Sequence, residues 1–292
     1  FLGVKEVGNI DENQDTHINT YSKNIPLNIK NILYKIYRPH IENFYKLFGR
    51  EISQWKKYYK HLYMYTTEEL SYHGLTFKYS YNPADPSGKG CIREIISNDE
   101  YKLYKYKNIN GNIIDIGGNN GLVTTILALQ NPNSNVYSLE PSSELTKIIK
   151  KNVSDNEIKN VKILQKGLGT GNTSTLYIGG LCSGASTLNM KNKAEFIKKQ
   201  SIKNLSTQTV ETITFDDFIS EHDISTIDVL KIDCEGGEYF LFDSECVKQN
   251  IIKNLVGEFH DLSYSDNRSE ELTKYMKQYV EGDFNITYLN WD

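Results

Sequence analysis

Asn112-Ile113-Ile114-Asp115-Ile116-Gly117-Gly118-Asn119-Asn120-Gly121 reads as an apolar strand that runs straight into a glycine-rich turn and then a helix. Ile113, Ile114 and Ile116 are β-branched and suit a strand buried on both faces, and the apolar run Leu122 to Leu129 is long enough for a helix. Strand, turn and helix in that order predict an α/β protein with a Rossmann-like sheet and a ligand at the turn. Gly117 and Gly121 permit a backbone course and a close approach that a Cβ would obstruct. The helix amides, with Asn119 and Asn120, are free to face a ligand.

The pattern DxGxNxG differs from the dinucleotide fingerprint GxGxxG because Asp115 stands at the strand end. A carboxylate there suits a ligand with a cationic amino acid moiety, as in S-adenosylmethionine, better than a pyrophosphate. A second strand is expected at Asn135 to Leu139, and Glu140 follows it, about 25 residues after Asp115, where an acid accepts hydrogen bonds from both ribose hydroxyls. After a third strand, Val161 to Leu164, the turn Lys166-Gly167-Leu168-Gly169 comes to the same edge. Gly167 and Leu168 are expected to line an adenine with backbone. A plain turn is the competing reading.

Ile227-Asp228-Val229-Leu230-Lys231-Ile232-Asp233-Cys234-Glu235-Gly236-Gly237-Glu238 is the second informative stretch. Its apolar residues carry a fourth strand to the ligand edge and deliver Lys231, Asp233, Glu235 and Glu238 within a few positions. Charges gathered in a buried place need partners or a ligand, so this cluster is expected in or beside a site. A Lys231 ion pair that only fixes the turn is the structural alternative. A fifth strand, Asn254 to Phe259, ends in Glu258-Phe259-His260-Asp261, which puts His260 at the same edge with a pKa open to tuning. His260 reads as a base or as an orienting group. Asp216 and Asp217 begin a short helix and are expected to favour its N-terminus rather than to bind metal. A helix at Ser269 to Tyr279 and a strand at Phe284 to Leu289 complete the sheet.

Upstream, Phe1 to Asn24 is polar and aperiodic. Helical periodicity runs from Pro26 through Phe48, and again over Ile52 to Tyr65 with Trp55, Tyr58, Tyr59 and Tyr63 on its apolar stripe. Those aromatics read as core or interface before they read as a sugar-stacking surface. Gly74 to Tyr81 alternates as a strand does, and Asn82 to Gly88 is turn-rich and expected as a surface loop. Cys91 to Lys105 then reads as a helix that folds over the ligand mouth, with Glu94 and Tyr101 as lid residues.

The 292 residues carry a net charge of -4 with basic side chains scattered along the chain, so no electrostatic footprint for nucleic acid is present. Cys91, Cys182, Cys234 and Cys246 show neither a metal spacing nor a disulfide framework, which fits a reducing compartment. No apolar run approaches the roughly 18 residues of a membrane span, and a cytoplasmic protein is expected, in the host if the source is viral. The chain starts at Phe1 rather than Met, as a piece of a longer protein would.

From about Cys91 to His260 the blocks IDIGGNNG, LEP around Glu140, KGLG, SGASTL, VETITFDDF, IDVLKIDCEGGE and GEFHD, in that order, resemble the FkbM-type S-adenosylmethionine-dependent methyltransferases. Gly237, where the family more often has Ala, is a small departure. The resemblance implies a class I methyltransferase fold, a mostly parallel seven-stranded sheet with helices on both faces. It also implies O-methylation, often of sugars or glycosylated natural products, with S-adenosylhomocysteine as product.

The chain is expected to divide into an N-terminal polar and helical extension, 1–71, and a methyltransferase domain, 72–292. Cofactor contacts are expected from Asp115, Gly117, Asn119, Gly121, Glu140, Gly167 and Leu168, with Glu94 and Tyr101 above them. His260 or Asp233 is the expected base, and Lys231 and Glu235 complete the catalytic group. A divalent cation held by Asp233 and neighbouring acids remains a weaker alternative, because the spacing matches no metal motif. The acceptor is expected to be a sugar, a glycan or another small hydroxyl-bearing molecule, and the N-terminal helices leave room for a homodimer. Two other readings stand beside this one. The first is a catalytically silent module that binds a glycan or protein through those helices; the second is a dehydrogenase using NAD, disfavoured by Asp115.

Overall fold

The computed structural model describes residues 65–83, 85–178, 186–188, 206–242, 244–261 and 268–289. The helical stretches expected before residue 65 and the dimer contact expected through them fall outside these residues. The described chain opens with an antiparallel hairpin, β1 (Thr66–Tyr72) and β2 (Leu75–Tyr81), turned at His73 and Gly74 with φ of 46° and 88°. Two positive-φ residues match the right-handed twist of the strands they join. The expected boundary at 71/72 falls within this hairpin.

The segment read as a surface loop followed by one helix is built differently. Asp85 accepts from the Ser87 amide and Pro86 takes the first helical position, so helix α1 (Pro86–Cys91) starts inside the turn-rich stretch, with Ser87 and Gly88 buried. It passes into a π-helical turn, Ile92–Ser97, and stops there. Asp99 and Lys102 have φ of 52° and 50°, which no right-handed helix accommodates, and only a short 3-10 turn, Leu103–Lys105, follows.

The main sheet has six strands: β3 (Asn112–Ile116), β4 (Asn135–Leu139), β5 (Val161–Leu164), β9 (Val229–Ile232), β10 (Leu255–His260) and β11 (Phe284–Leu289). Their spatial order is β11-β10-β9-β3-β4-β5, and every pairing is parallel. This is the doubly wound Rossmann-like arrangement, with six strands among the described residues instead of seven. Helix α2 (Leu122–Gln130) crosses from β3 to β4 and α3 (Ser143–Asp155) from β4 to β5. A small sheet, β6 (Gly167–Leu168), β7 (Thr173–Ile178) and β8 (Ser206–Ile213), precedes α4 (Phe215–Glu221). Two further helices, α5 (Glu245–Lys248) and α6 (Arg268–Met276), flank β10 in sequence.

Burial alternates along the strands. Ile114, Leu230, Leu255 and Phe259 pack on one face with Phe218, Val247 and Leu272 of α4, α5 and α6. Ile113, Val229 and Val256 pack on the other with Leu122, Ile126 and Leu127 of α2 and the hairpin's Tyr72 and Phe77. Asp216 lies at the start of α4 and caps the next helix, accepting from the Ser244 hydroxyl at 2.5 Å and from the Glu245 and Cys246 amides at 2.9 and 3.1 Å. It acts at a helix N-terminus, as expected, but at that of α5. Among the described residues no helix is long and apolar enough to cross a membrane.

Candidate active site

β3 and β9 lie side by side where the strand order reverses, and in such sheets ligands bind beyond the carboxyl ends of that pair. The turn after β3 is held there by its backbone. Gly117 and Gly118 both donate to the Leu139 carbonyl at 3.0 Å, and the Asp233 amide donates to the Ile116 carbonyl at 3.1 Å. Gly117 has φ of +81°, and a Cβ on it would lie 1.8 Å from the Asp233 carbonyl oxygen. From below, Asn152 of α3 donates to the carbonyls of Asn120 and Ser80, at 2.8 and 2.9 Å, and ties the turn to the hairpin.

Asp115 and Lys231 are paired neighbours in the β3–β9 ladder, on the same face, and both are buried. Lys231 Nζ is 3.1 Å from Asp115 Oδ1, an ion pair whose direction misses that of a good hydrogen bond, and it donates to the Gly117 carbonyl at 2.7 Å. Thr124 Oγ1 donates to the other carboxylate oxygen at 2.5 Å. Burial works against the Lys231 charge, but Asp115 and Asp233 outweigh it and hold the ammonium well above its usual range. Asp115 therefore faces Lys231 and Thr124 rather than a ligand, and Lys231 is a staple under the turn.

An open cleft enclosing about 610 Å³, part of it continuous with solvent, lies over this edge. Its walls include Gly117, Asn119, Glu140, Gly167 and Leu168 from the expected set, and Asp233 and Glu235 from the expected catalytic set. Leu139, Pro141, Leu145, Leu176 and Leu188 form its apolar lining. Gly121 does not reach the cleft: its α-carbon packs against Ile149 of α3, which a Cβ would meet at 3.2 Å. Glu94 lies outside it too, beside Arg93 at 3.5 Å.

Glu140 accepts from the Asn119 amide at 2.9 Å on one oxygen and the Ser142 amide at 2.8 Å on the other, which leaves each with a further lone pair. Burial lifts its pKa to about 7 against the pull of those amides.

Beyond the staple stand Asp233, the residue after β9, and Glu258 and His260 of β10. Tyr101, expected as a lid residue, is buried and places its hydroxyl 3.0 Å from Asp233 Oδ2 and 3.2 Å from Glu258 Oε1. His260 Nδ1 lies 2.8 Å from Glu238, whose carboxylate also accepts from the Cys234 and Gly236 amides. His260 Nε2 faces Glu258 Oε2 at 3.6 Å, Asp233 Oδ1 at 3.9 Å and Glu235 Oε1 at 4.0 Å. Burial works against the imidazolium, but the carboxylates of Glu235, Glu238 and Asp233 prevail and raise its pKa to about 10, so the ring sits as a cation among acids. Burial and Asp233 push Glu258 up to about 8. Donor atoms of Asp233, Glu258 and His260 all fall within 4.8 Å of one another, a set able to hold a metal ion. Chain spacing hides it because the donors come from two strands.

The family model described as "Methyltransferase FkbM domain" matches residues 115–282. No curated protein matches the chain. Among solved structures, a chain described as a "putative rRNA-methylase" from Clostridium thermocellum aligns with a TM-score of 0.35 at 8% identity, over 62% of this chain and 76% of that one.

Proposed function

Because the chain belongs to the FkbM methyltransferase family, we propose that it is an S-adenosylmethionine-dependent O-methyltransferase whose acceptor is a hydroxyl of a sugar or glycan. The observation that carries this reading is Glu140 at the wall of a partly apolar cleft over the switch point of the sheet. A carboxylate with two lone pairs to spare fits a ribose diol, and the leucine-lined slot fits a planar base. When bound there, S-adenosylmethionine supplies an electrophilic methyl group on a sulfonium centre. Glu140 would take the ribose, Leu145 and Leu168 the base, and the Gly117–Asn119 turn the amino acid end. Asp233 and Glu235, which line the same cleft, would accept hydrogen bonds from acceptor hydroxyls and so orient them. Acceptor orientation, with water kept from the apolar slot, is the contribution these residues make to rate.

Calorimetric titration with S-adenosylhomocysteine, with NAD as control, tests the cofactor assignment. Binding of the former alone is expected, and a Glu140→Ala protein that binds as tightly as the wild type would sink the assignment. A pH series sharpens it. Glu140 has a folded-state pKa of about 7, above its ordinary value, so the stability it contributes is complete at low pH and is lost as pH rises through 7. Ligand affinity runs the opposite way, because the ionised form is the better acceptor. Affinity for S-adenosylhomocysteine is expected to fall about tenfold from pH 8 to pH 6, with that slope absent in Glu140→Gln. Acceptor identity is then tested by incubating the protein with methyl-labelled cofactor and a set of glycans. Label transferred only to amines or carbons would overturn the hydroxyl reading.

A further inference from the structure

We propose that Asp233, Glu258 and His260 form a binding site for one first-row divalent cation of the Mn2+ or Zn2+ class, with Glu235 in reach as a fourth ligand. Only the use of the ion, docking an acceptor hydroxyl at the end of the cleft, rests on the methyltransferase reading. Binding itself rests on the ligands.

The first argument is how the donors are held. Each carboxylate is anchored by one oxygen and presents the other. Tyr101 engages Asp233 Oδ2 and Glu258 Oε1, and the opposite oxygens, Asp233 Oδ1 and Glu258 Oε2, are the ones turned toward His260 Nε2. On the imidazole the division is the same: Nδ1 is fixed at 2.8 Å by Glu238, itself tied to two backbone amides, so that Nε2 points inward. A carboxylate that orients a histidine through its far nitrogen, and hydrogen bonds that orient ligating carboxylates, are the outer layer that metal sites require.

The second argument is spacing. An ion about 2.1–2.2 Å from two adjacent octahedral donors sets them about 3.0 Å apart. Nε2 is 3.6 Å from Glu258 Oε2 and 3.9 Å from Asp233 Oδ1, so a contraction of roughly half an ångström to one ångström, within reach of side-chain torsions, closes the shell. One imidazole with two or three carboxylates is a borderline-hard set, which favours Mn2+ or Zn2+ over Mg2+ or Ca2+.

The third argument is access and charge. His260 is 2% exposed, while Asp233 and Glu235 line the cleft, so the site has a protein-enclosed floor and an opening on the ligand side. Lys231, the nearby ammonium, is already engaged by Asp115 at 3.1 Å and stands 3.9 Å from Asp233. Four carboxyl groups surround one imidazole, and a divalent ion that takes the place of the Nε2 proton, released to solvent on binding, keeps a positive charge among them.

The test is titration of the chelator-treated full chain with Mn2+, followed by its electron spin resonance signal, and with Zn2+ by calorimetry. One equivalent bound per chain is expected. Glu258→Gln and Asp233→Asn, near-isosteric changes, should each weaken it by more than tenfold with melting curves that still show a folded protein. Tyr101→Phe, which removes only the positioning hydroxyl, should weaken it about tenfold. Failure of both ions to bind the wild type, or binding unchanged in folded Glu258→Gln and Asp233→Asn, would overturn the site. The same samples titrated with S-adenosylhomocysteine separate the two claims: cofactor binding without metal binding overturns this inference alone, and metal binding without cofactor binding overturns only the proposed function.

Discussion

Lys231→Met is expected to destabilise the fold by about 3–5 kcal/mol, the cost of leaving a buried charge without its partner. Asp115 is fully buried, and the Lys231 ammonium is the cation beside it. The mutation also strips the Gly117 carbonyl of its 2.7 Å donor. Asp115→Leu should cost a similar amount from the other side. In the double variant, where neither charge remains, much of the loss should be regained, because apolar side chains of similar volume often replace a buried pair at little cost. Denaturant unfolding of the two single variants and the double variant measures this directly. Additive losses would mean that the two side chains do not act as a pair. Cofactor binding in Asp115 variants should then track the folded fraction, which separates a staple from a ligand contact.

Gly117→Ala is expected to be the most damaging single methyl group in the site, at about 2–5 kcal/mol. Part of this, about 1–2 kcal/mol, is the cost of a left-handed backbone for a residue with a Cβ. The rest is overpacking, since the added atom would lie 1.8 Å from a backbone oxygen of Asp233 that no rotamer change can move. Relief requires β3 and β9 to part at their carboxyl ends. Affinity for S-adenosylhomocysteine should fall even in the molecules that fold, because the wall of the cleft moves with the turn. A melting temperature and an affinity both within error of the wild type would contradict the close approach described here.

Much of this architecture could be read from local pattern. Ile113, Ile114 and Ile116 announce a strand buried on both faces, Val229 to Ile232 another, and Glu140 after Leu139 marks the edge at which the cleft opens. What local pattern does not carry is register between strands far apart in the chain. Asp115 looks like a ligand contact until Lys231 is set beside it in a ladder with over a hundred residues between its partners. For the same reason Glu238, expected only in or beside a site with its neighbours, proves to hold His260, and Tyr101 reaches Asp233 and Glu258 rather than a cofactor. The segment from Pro86 misleads in another way. Asp85-Pro86 is both a turn signal and a helix start, and the helical spacing of Ile92, Ile95 and Ile96 does not distinguish an α from a π turn. Leu176 and Leu188 of the cleft wall carry no chemical signal that a sequence reading could have used.

The strand order also sets a timetable for assembly. β3 meets β4 soon after both emerge from the ribosome, but its other neighbour, β9, lies about 115 residues further on. Long-range parallel pairing of this kind is slow, and until it occurs the β3 edge is open to strands of other molecules. Asp115 sits on that edge. Unpaired, it is an inward-pointing charge of the sort that keeps an exposed strand from stacking with its like, and the arrival of Lys231 then cancels it. One carboxylate thus guards the unfinished sheet and afterwards becomes half of the clasp that shuts it.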